Sequence, residues 1–325
     1  MTRYPAACGE PLVVLAPMAG ITDLPFRETV ARFGADLLVS EMVASQEVVQ
    51  ARPSARDRAE LGHGHERTAV QLAGRDVYWM GEAARLVEAR GARRIDINMG
   101  CPAKKVVHGY SGSALMRDLD HAVSLIEAVT AAVEVPVSVK MRLGWDETAL
   151  NAPDLARRAE DAGVRMVTVH GRTRCQFYKG RADWAAVARV KQAVTVPVIV
   201  NGDILDGPGA EEALRASGAD GVMIGRGVQG RPWLLRDVSA HLAGTRQPRP
   251  PRAAELVEVI TDHHERACLF HGRETGVKTM RKHLGWYLDA AGTDPQIRRS
   301  LLTEDTPQRI HRMLQNAVVD EALAA

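Results

Sequence analysis

In the segment NMGCPAKK, Asn98–Lys105, a thiol sits between glycine and proline directly after the apolar run 94–99. Three chemistries are open to Cys101 there: nucleophile, general acid, or the inert small hydrophobe that a lone cysteine commonly is. A free thiol titrates near pH ~8.5 and can donate a proton at neutral pH, whereas nucleophilic work needs that value lowered. Lys104 and Lys105 pull toward thiolate, and no histidine adjoins the cysteine in sequence, so His170 or His108 could partner it only through the fold. The acid is the favoured reading.

Other residues point to an anion nearby. Lys140 ends the apolar run 136–141, where a lysine is costly unless paired. Beside His170 it would stabilise negative charge that forms during reaction, as on a reduced flavin. GRGVQG, Gly225–Gly230, follows another apolar run and precedes a helical pattern. Its glycines let backbone N–H groups approach a phosphate at a helix N-terminus, with Arg226 as clamp and the NGD segment Asn201, Gly202 and Asp203 alongside. Each residue alone has a plainer reading, a snorkelling lysine or a tight-turn glycine. The argument lies in their coincidence at the ends of successive apolar runs.

Those runs are the elements that must position the chemistry. They cover 12–16, 37–40, 69–73, 94–99, 136–141, 166–170, 197–201 and 221–224. Helical patterns separate most of them, at 77–89, 122–133, 153–162, 184–193 and 210–216. Continuous apolar strands alternating with helices mean parallel pairing with both faces covered. Eight such units predict a (β/α)8 TIM barrel, preferred over an open doubly wound sheet, with its site at the C-terminal strand ends. Residues leaving the strands there include Gln71, Asn98, Arg142 and His170. Glycines in EARGARRIDI, EDAGVRMVTV and RASGADGVMI predict helix C-caps before the next strand. The barrel, 1–244, is followed by a Pro/Arg-rich linker, 245–252, and a small all-helical domain, 253–325.

Composition narrows the classes. A chain of 325 residues with 25% charged residues has the profile of an ordinary globular protein. It lacks an apolar span of membrane length and a basic-then-apolar leader, so a cytoplasmic location is expected; a monomer is the default expectation, which these features do not bear on. Four cysteines, Cys8, Cys101, Cys175 and Cys268, lie too far apart for a zinc or redox motif, which predicts free thiols and no structural metal. A net charge of +2 makes no case for nucleic acid by itself.

Taken together, LAPMAGITDLPFR, DINMGCPAKKV, VSVKMRLGW, VTVHGRT, VIVNGDI, GVMIGRG and VKTMRKHLGWYL resemble the tRNA-dihydrouridine synthases, in particular the bacterial B-type members, over nearly the whole chain. The resemblance implies an FMN-dependent barrel that takes electrons from NADPH and reduces the C5–C6 double bond of uridine in the tRNA D-loop. It implies that Pro17, Met18, Ala19, Gln71, Lys140, Asn201, Gly202, Asp203, Gly225 and Arg226 hold FMN, and that Cys101 is the proton donor. His170 is expected between cofactor and base, and Asn98 and Arg142 at the uracil edge. Hydride delivered to C6 leaves charge toward C5 and O4, which a positioned thiol can quench.

RNA has some support from the residues alone. GRTRCQFYKGRADW carries Arg172, Arg174, Lys179 and Arg181 with Phe177 and Tyr178, and no acid from Gly171 to Arg181. Basic residues interleaved with aromatics suit phosphate contact and base stacking, though a solvated loop has the same composition. Lys278, Arg281, Lys282 and His283 crowd one helical stretch and Arg298 and Arg299 another; the resemblance makes the first an RNA surface. A flavin barrel acting on a free pyrimidine and a non-catalytic tRNA-binding regulator are the rival readings.

Overall fold

A computed structural model describes residues 10–62 and 65–318. Cys8 and the N-terminal leader question lie outside the described residues. Eight parallel strands, β1 (Leu12–Leu15), β2 (Leu37–Ala44), β3 (Thr68–Ala73), β4 (Ile95–Met99), β5 (Val137–Arg142), β6 (Met166–His170), β7 (Val198–Asn201) and β8 (Gly221–Ile224), pair in sequence order into a closed barrel. The seam joins β1 to β8, with Leu12 opposite Gly221 and Leu15 opposite Ile224. Gly221 permits that closure, because a Cβ there would lie 2.5 Å from the Leu12 carbonyl oxygen.

Around the barrel run α1 (Leu24–Ala31), α2 (Ser45–Val49), α3 (Pro53–Arg58), α4 (Val77–Ala89), α5 (Lys104–His108), α6 (Leu119–Thr130), α7 (Ala152–Asp161), α8 (Trp184–Ala193), α9 (Gly207–Ser217) and α10 (Leu234–Leu242). Alternation along each strand splits the core in two. Outward residues such as Ile95, Ile97, Val139 and Val167 pack against the helices. Inward ones, Leu12, Val14, Val39, Ala69, Met166, Ile199 and Met223, plug the bottom of the barrel. Above that plug the interior is polar. Asp96, Ser138 and Thr168 are fully buried there, so the strands are not free of polar groups below their ends as expected.

Element boundaries moved where polar caps act. Asp118 accepts from the His121 N–H and starts α6 at Leu119 rather than 122, and Asp206 caps α9 at Gly207 rather than 210. β2 runs to Ala44, past its expected end at 40, through a register shift between Val39 and Met42 that turns Glu41 to accept from the Gly20 N–H. The three expected cap glycines, Gly91, Gly163 and Gly218, all have positive φ.

Residues 245–252 form no regular element, and after them come α11 (Ala254–His271), α12 (Arg273–Ala290), α13 (Pro295–Thr303) and α14 (Pro307–Ala317). These helices seat on α1. Phe26 lies 5.5 and 5.0 Å, ring to ring, from His263 and His283, while Arg32 pairs with Asp262, Arg266 with Glu28 and His271 with Asp23. Gly230 lets the β8 loop press on α12, since a Cβ there would lie 2.3 Å from the Trp286 carbonyl oxygen. No helix among the described residues is long and apolar enough to cross a membrane.

Burial drives His263 and His264 down to about 4 and His283 well below its usual value. The unfolded chain protonates these rings near pH ~6.5 and the folded chain does not, so their contribution is present above that pH and lost as pH falls toward 4. His271, raised by its hydrogen bond to Asp23, and Asp96, raised by burial to about 6, act in the opposite sense. The lowered set outweighs them at about 1.4 kcal/mol per unit of displacement. The expected result is a melting temperature lower by about 5 °C or more at pH 5 than at pH 7; equal values by circular dichroism would contradict it.

Candidate active site at the barrel mouth

Cys101 stands where β4 runs out, partly exposed, in a turn tied down at both ends. The Asn98 side-chain oxygen accepts from the N–H groups of Gly100 (3.2 Å) and Cys101 (3.0 Å). The Cys101 carbonyl accepts from the Ser113 N–H at 3.1 Å and hydroxyl at 2.8 Å. Asn98 Nδ2 donates to Gln71 Oε1 at 2.7 Å, Gln71 Nε2 to Asp96 Oδ2 at 2.7 Å, and the Ser138 hydroxyl to Asp96 Oδ1 at 2.6 Å. All four of these side chains are buried.

Lys140 lies in register between Asn98 on β4 and Thr168 on β6. Burial first, then the charge of Arg142, lowers it to about 8 against the opposing fields of Asp96 and Cys101. Cys101 and Lys140 therefore share one rim. On β7, Asn201 donates through Nδ2 to the Met223 carbonyl at 2.8 Å, so its oxygen is the atom 2.9 Å from Nδ1 of His170 on β6. That fixes the proton on Nδ1 and leaves Nε2 to accept from Arg172 Nη1 at 3.4 Å. Burial, with Lys140 and Arg142 adding to it, holds this ring well below its usual value and hence neutral.

At the other side of the mouth Asp203, at a left-handed φ of 54°, gathers two arginines. Burial would raise its carboxyl, but hydrogen bonds from Arg172 and the Ala182 N–H and the charges of Arg172 and Arg226 hold it below the usual range. Arg226 reaches it at 3.4 Å and remains more than half exposed. A Cβ at Gly225 would sit in ordinary contact with Met18 Sδ at 3.6 Å and Ala16 Cβ at 3.7 Å, so the segment Pro17–Ala19 after β1 lies beside the β8 loop. GRGVQG opens a three-residue turn, Arg226–Val228, and α10 starts only at Leu234. The expected helix field at this loop is thus that of a short turn.

Two arginines read as contacts for substrate are instead structural staples. Arg172 is 1% exposed and donates to both Asp203 oxygens and to the carbonyls of Lys179 and Gly180. A phosphate could reach it only by displacing buried partners. Arg142, 2% exposed, bonds the carbonyls of Gly100, Thr173 and Phe177, tying the Cys101 turn to the loop after β6. Arg174 lies over the Trp145 ring at 4.7 Å. Lys179 and Arg181 do stand exposed on that loop, with Phe177 and Tyr178 beside them. The Tyr178 ring sits beneath the guanidinium groups of Arg142 and Arg226, at 5.4 and 5.3 Å. On α12, Lys278 pairs with Glu274 and Arg281 with Asp305, both exposed pairs of small worth. Lys282 points toward the mouth, its Nζ 3.7 Å from where a Gly20 Cβ would be.

Asp96, Ser138 and Ser113 were missed by the sequence reading. The signal for Asp96 was present: a carboxylate two residues before Asn98 in a strand shares its inward face. No group of three or more histidine, cysteine or acidic side chains among the described residues could hold a metal.

Residues 14–323 match the family described as Dihydrouridine synthase (Dus). A probable tRNA-dihydrouridine synthase of Rhodobacter capsulatus is 53% identical over 317 residues, 97% of each chain. The tRNA-dihydrouridine synthase B of Xanthomonas campestris is 44% identical over 92% of this chain and 90% of its own. Among solved structures, a histamine dehydrogenase from Rhizobium sp. 4-9 superposes with a TM-score of 0.54 at 12% identity, over 78% of this chain and 48% of that one. At that identity the likeness is one of fold.

Proposed function

The chain belongs to the dihydrouridine synthase family, and we propose that it binds FMN in the barrel mouth, draws electrons from NADPH and reduces the C5–C6 bond of a uridine in the tRNA D-loop. One observation carries this reading: Lys140, a cation inside the mouth with no hydrogen bond to another described residue, shares a rim with the partly exposed Cys101. The neighbouring Thr168 hydroxyl is buried without a partner, beside the partly buried Lys140. Unpaired buried polar groups are costly, and the electron-rich edge of an isoalloxazine satisfies such donors. The exposed Arg226 and the side-chain-free backbone at Gly225 suit the FMN phosphate. The residues present fit the cofactor.

FMN, when bound, supplies the hydride that adds to C6 of the uracil. Lys140 holds negative charge at the mouth beside neutral His170, whose Nε2 lies 3.4 Å from Arg172 Nη1. Cys101 delivers its proton to C5 from a turn fixed by Asn98 and Ser113. The base must leave its stack to arrive there, which is easiest in a loop of the RNA. Lys179, Arg181 and Lys282 ring the mouth for the flanking phosphates, with Phe177 and Tyr178 for stacking. In this reading 1–244 is catalytic, 245–252 links, and 253–325 grips the tRNA.

The purified protein should show a flavin spectrum or gain one with added FMN, and Lys140→Met should weaken that uptake by about tenfold or more. Failure of the wild-type chain to take up FMN would remove the redox reading. Affinity for tRNA should fall steeply with salt, and Lys179→Glu with Arg181→Glu should reduce the slope by about two. An unchanged slope would deny this loop an RNA role. Free uridine turned over as well as tRNA would favour the rival reading of a free-pyrimidine enzyme.

A further inference from the structure

We infer that Asp96 is a positioning residue: its carboxylate sets the direction of a buried amide relay through Gln71 and Asn98 that holds the Cys101 turn. The inference rests on the proposed role of Cys101 and adds a residue which does not itself touch substrate.

The argument is one of donors and acceptors. An ionised carboxylate only accepts, so Gln71 must turn its NH2 toward Asp96, and its oxygen is left facing Asn98. Asn98 must then turn its own NH2 to Gln71, which leaves its oxygen for the N–H groups of Gly100 and Cys101. Reversing either amide would place oxygen against carboxylate at one end or NH2 against two N–H donors at the other. With Asp96 and Gln71 each 1% exposed and Asn98 6%, no solvent stands ready to compensate. Ser138, in register with Asp96 on β5, donates to the other carboxylate oxygen and completes the anchor. Asp96 and Gln71 are themselves register partners across β3 and β4, so the relay runs sideways through the barrel wall before rising to the mouth. Protonation of Asp96, raised by burial to about 6, would add a donor and release the lock at acid pH.

Asp96→Asn keeps the shape but accepts either amide direction. The expected result is a kcat lower by about tenfold or more with the KM for tRNA within about twofold, since loosened placement of a reacting group costs rate rather than binding. Cys101 should be alkylated by iodoacetamide about fivefold faster, followed by mass on its own peptide, as its turn loosens. The second arm moves the charge. Asn98→Asp alone puts carboxylates on both sides of Gln71 and should lower the melting temperature and speed alkylation. Adding Asp96→Asn lets Gln71 turn over, satisfies every group again and should restore both readings close to wild type. A double variant no better than Asn98→Asp, or an Asp96→Asn protein with unchanged kcat and alkylation, overturns the relay. Alkylation and melting need neither flavin nor tRNA, so they decide this inference even if the proposed reaction fails.

Discussion

Under the proposed reaction, replacing Cys101 by Ala is expected to lower turnover of tRNA by about 100- to 10,000-fold, the range for loss of a positioned general acid, with binding of FMN and tRNA retained. The expectation follows from how little else at that rim can give a proton to C5. His170 is held neutral with its one proton spent on Asn201, and Arg142 is locked onto three carbonyls. Lys140 carries a proton, but its proposed place is against the cofactor. Cys101→Ser, which keeps a donor of much higher pKa, should recover only a small part of the rate. The measurement is single-turnover reduction of tRNA with the flavin spectrum recorded in the same sample. Rates within about threefold of wild type in the Ala variant would show that another group protonates the base.

Asp203→Ala has the largest expected effect on stability. Arg172, almost wholly buried, would keep two carbonyl partners but lose the carboxylate that neutralises it. Asp203 is 27% exposed but Arg172 only 1%, and leaving a buried charge without its partner costs about 3 kcal/mol, which for a chain of this size is a fall in melting temperature of about 5 °C. Arg226 also loses its anchor, so FMN uptake should weaken in the same variant. A buried charge without a partner is the stated cause, so Arg172→Met added to Asp203→Ala should recover roughly half of the lost stability. If Asp203→Ala melts within about 1 °C of wild type, Arg172 does not depend on that ion pair.

Strand order and the place of the mouth were legible in the sequence because both follow from period and punctuation. All eight apolar runs became strands, and Gly91, Gly163 and Gly218 ended helices as their spacing required. Cys101, Lys140 and His170 could be placed on one rim because each leaves a strand at the same end. Side-chain partners were not legible. Arg172 and Arg142 look in sequence like any basic residues of an exposed loop, and only the closing of the loop after β6 buries them against carbonyls. Asp96 lay hidden for the opposite reason: it sits inside an apolar strand whose polar member was read as its last. α1 escaped notice because its helix pattern is short, yet it is the seat of the whole C-terminal unit.

The seam between β1 and β8 makes birth order matter. Leu12 leaves the ribosome early and must wait for Gly221 before its strand has both neighbours, and α1 waits longer still for the helices that cover Phe26. Until then the nascent chain shows two unpaired strand edges and an apolar flank, the surfaces most prone to wrong partners. Chaperone demand during synthesis should therefore track translation speed through the second half of the message, and slowing it there should lower the yield of native protein.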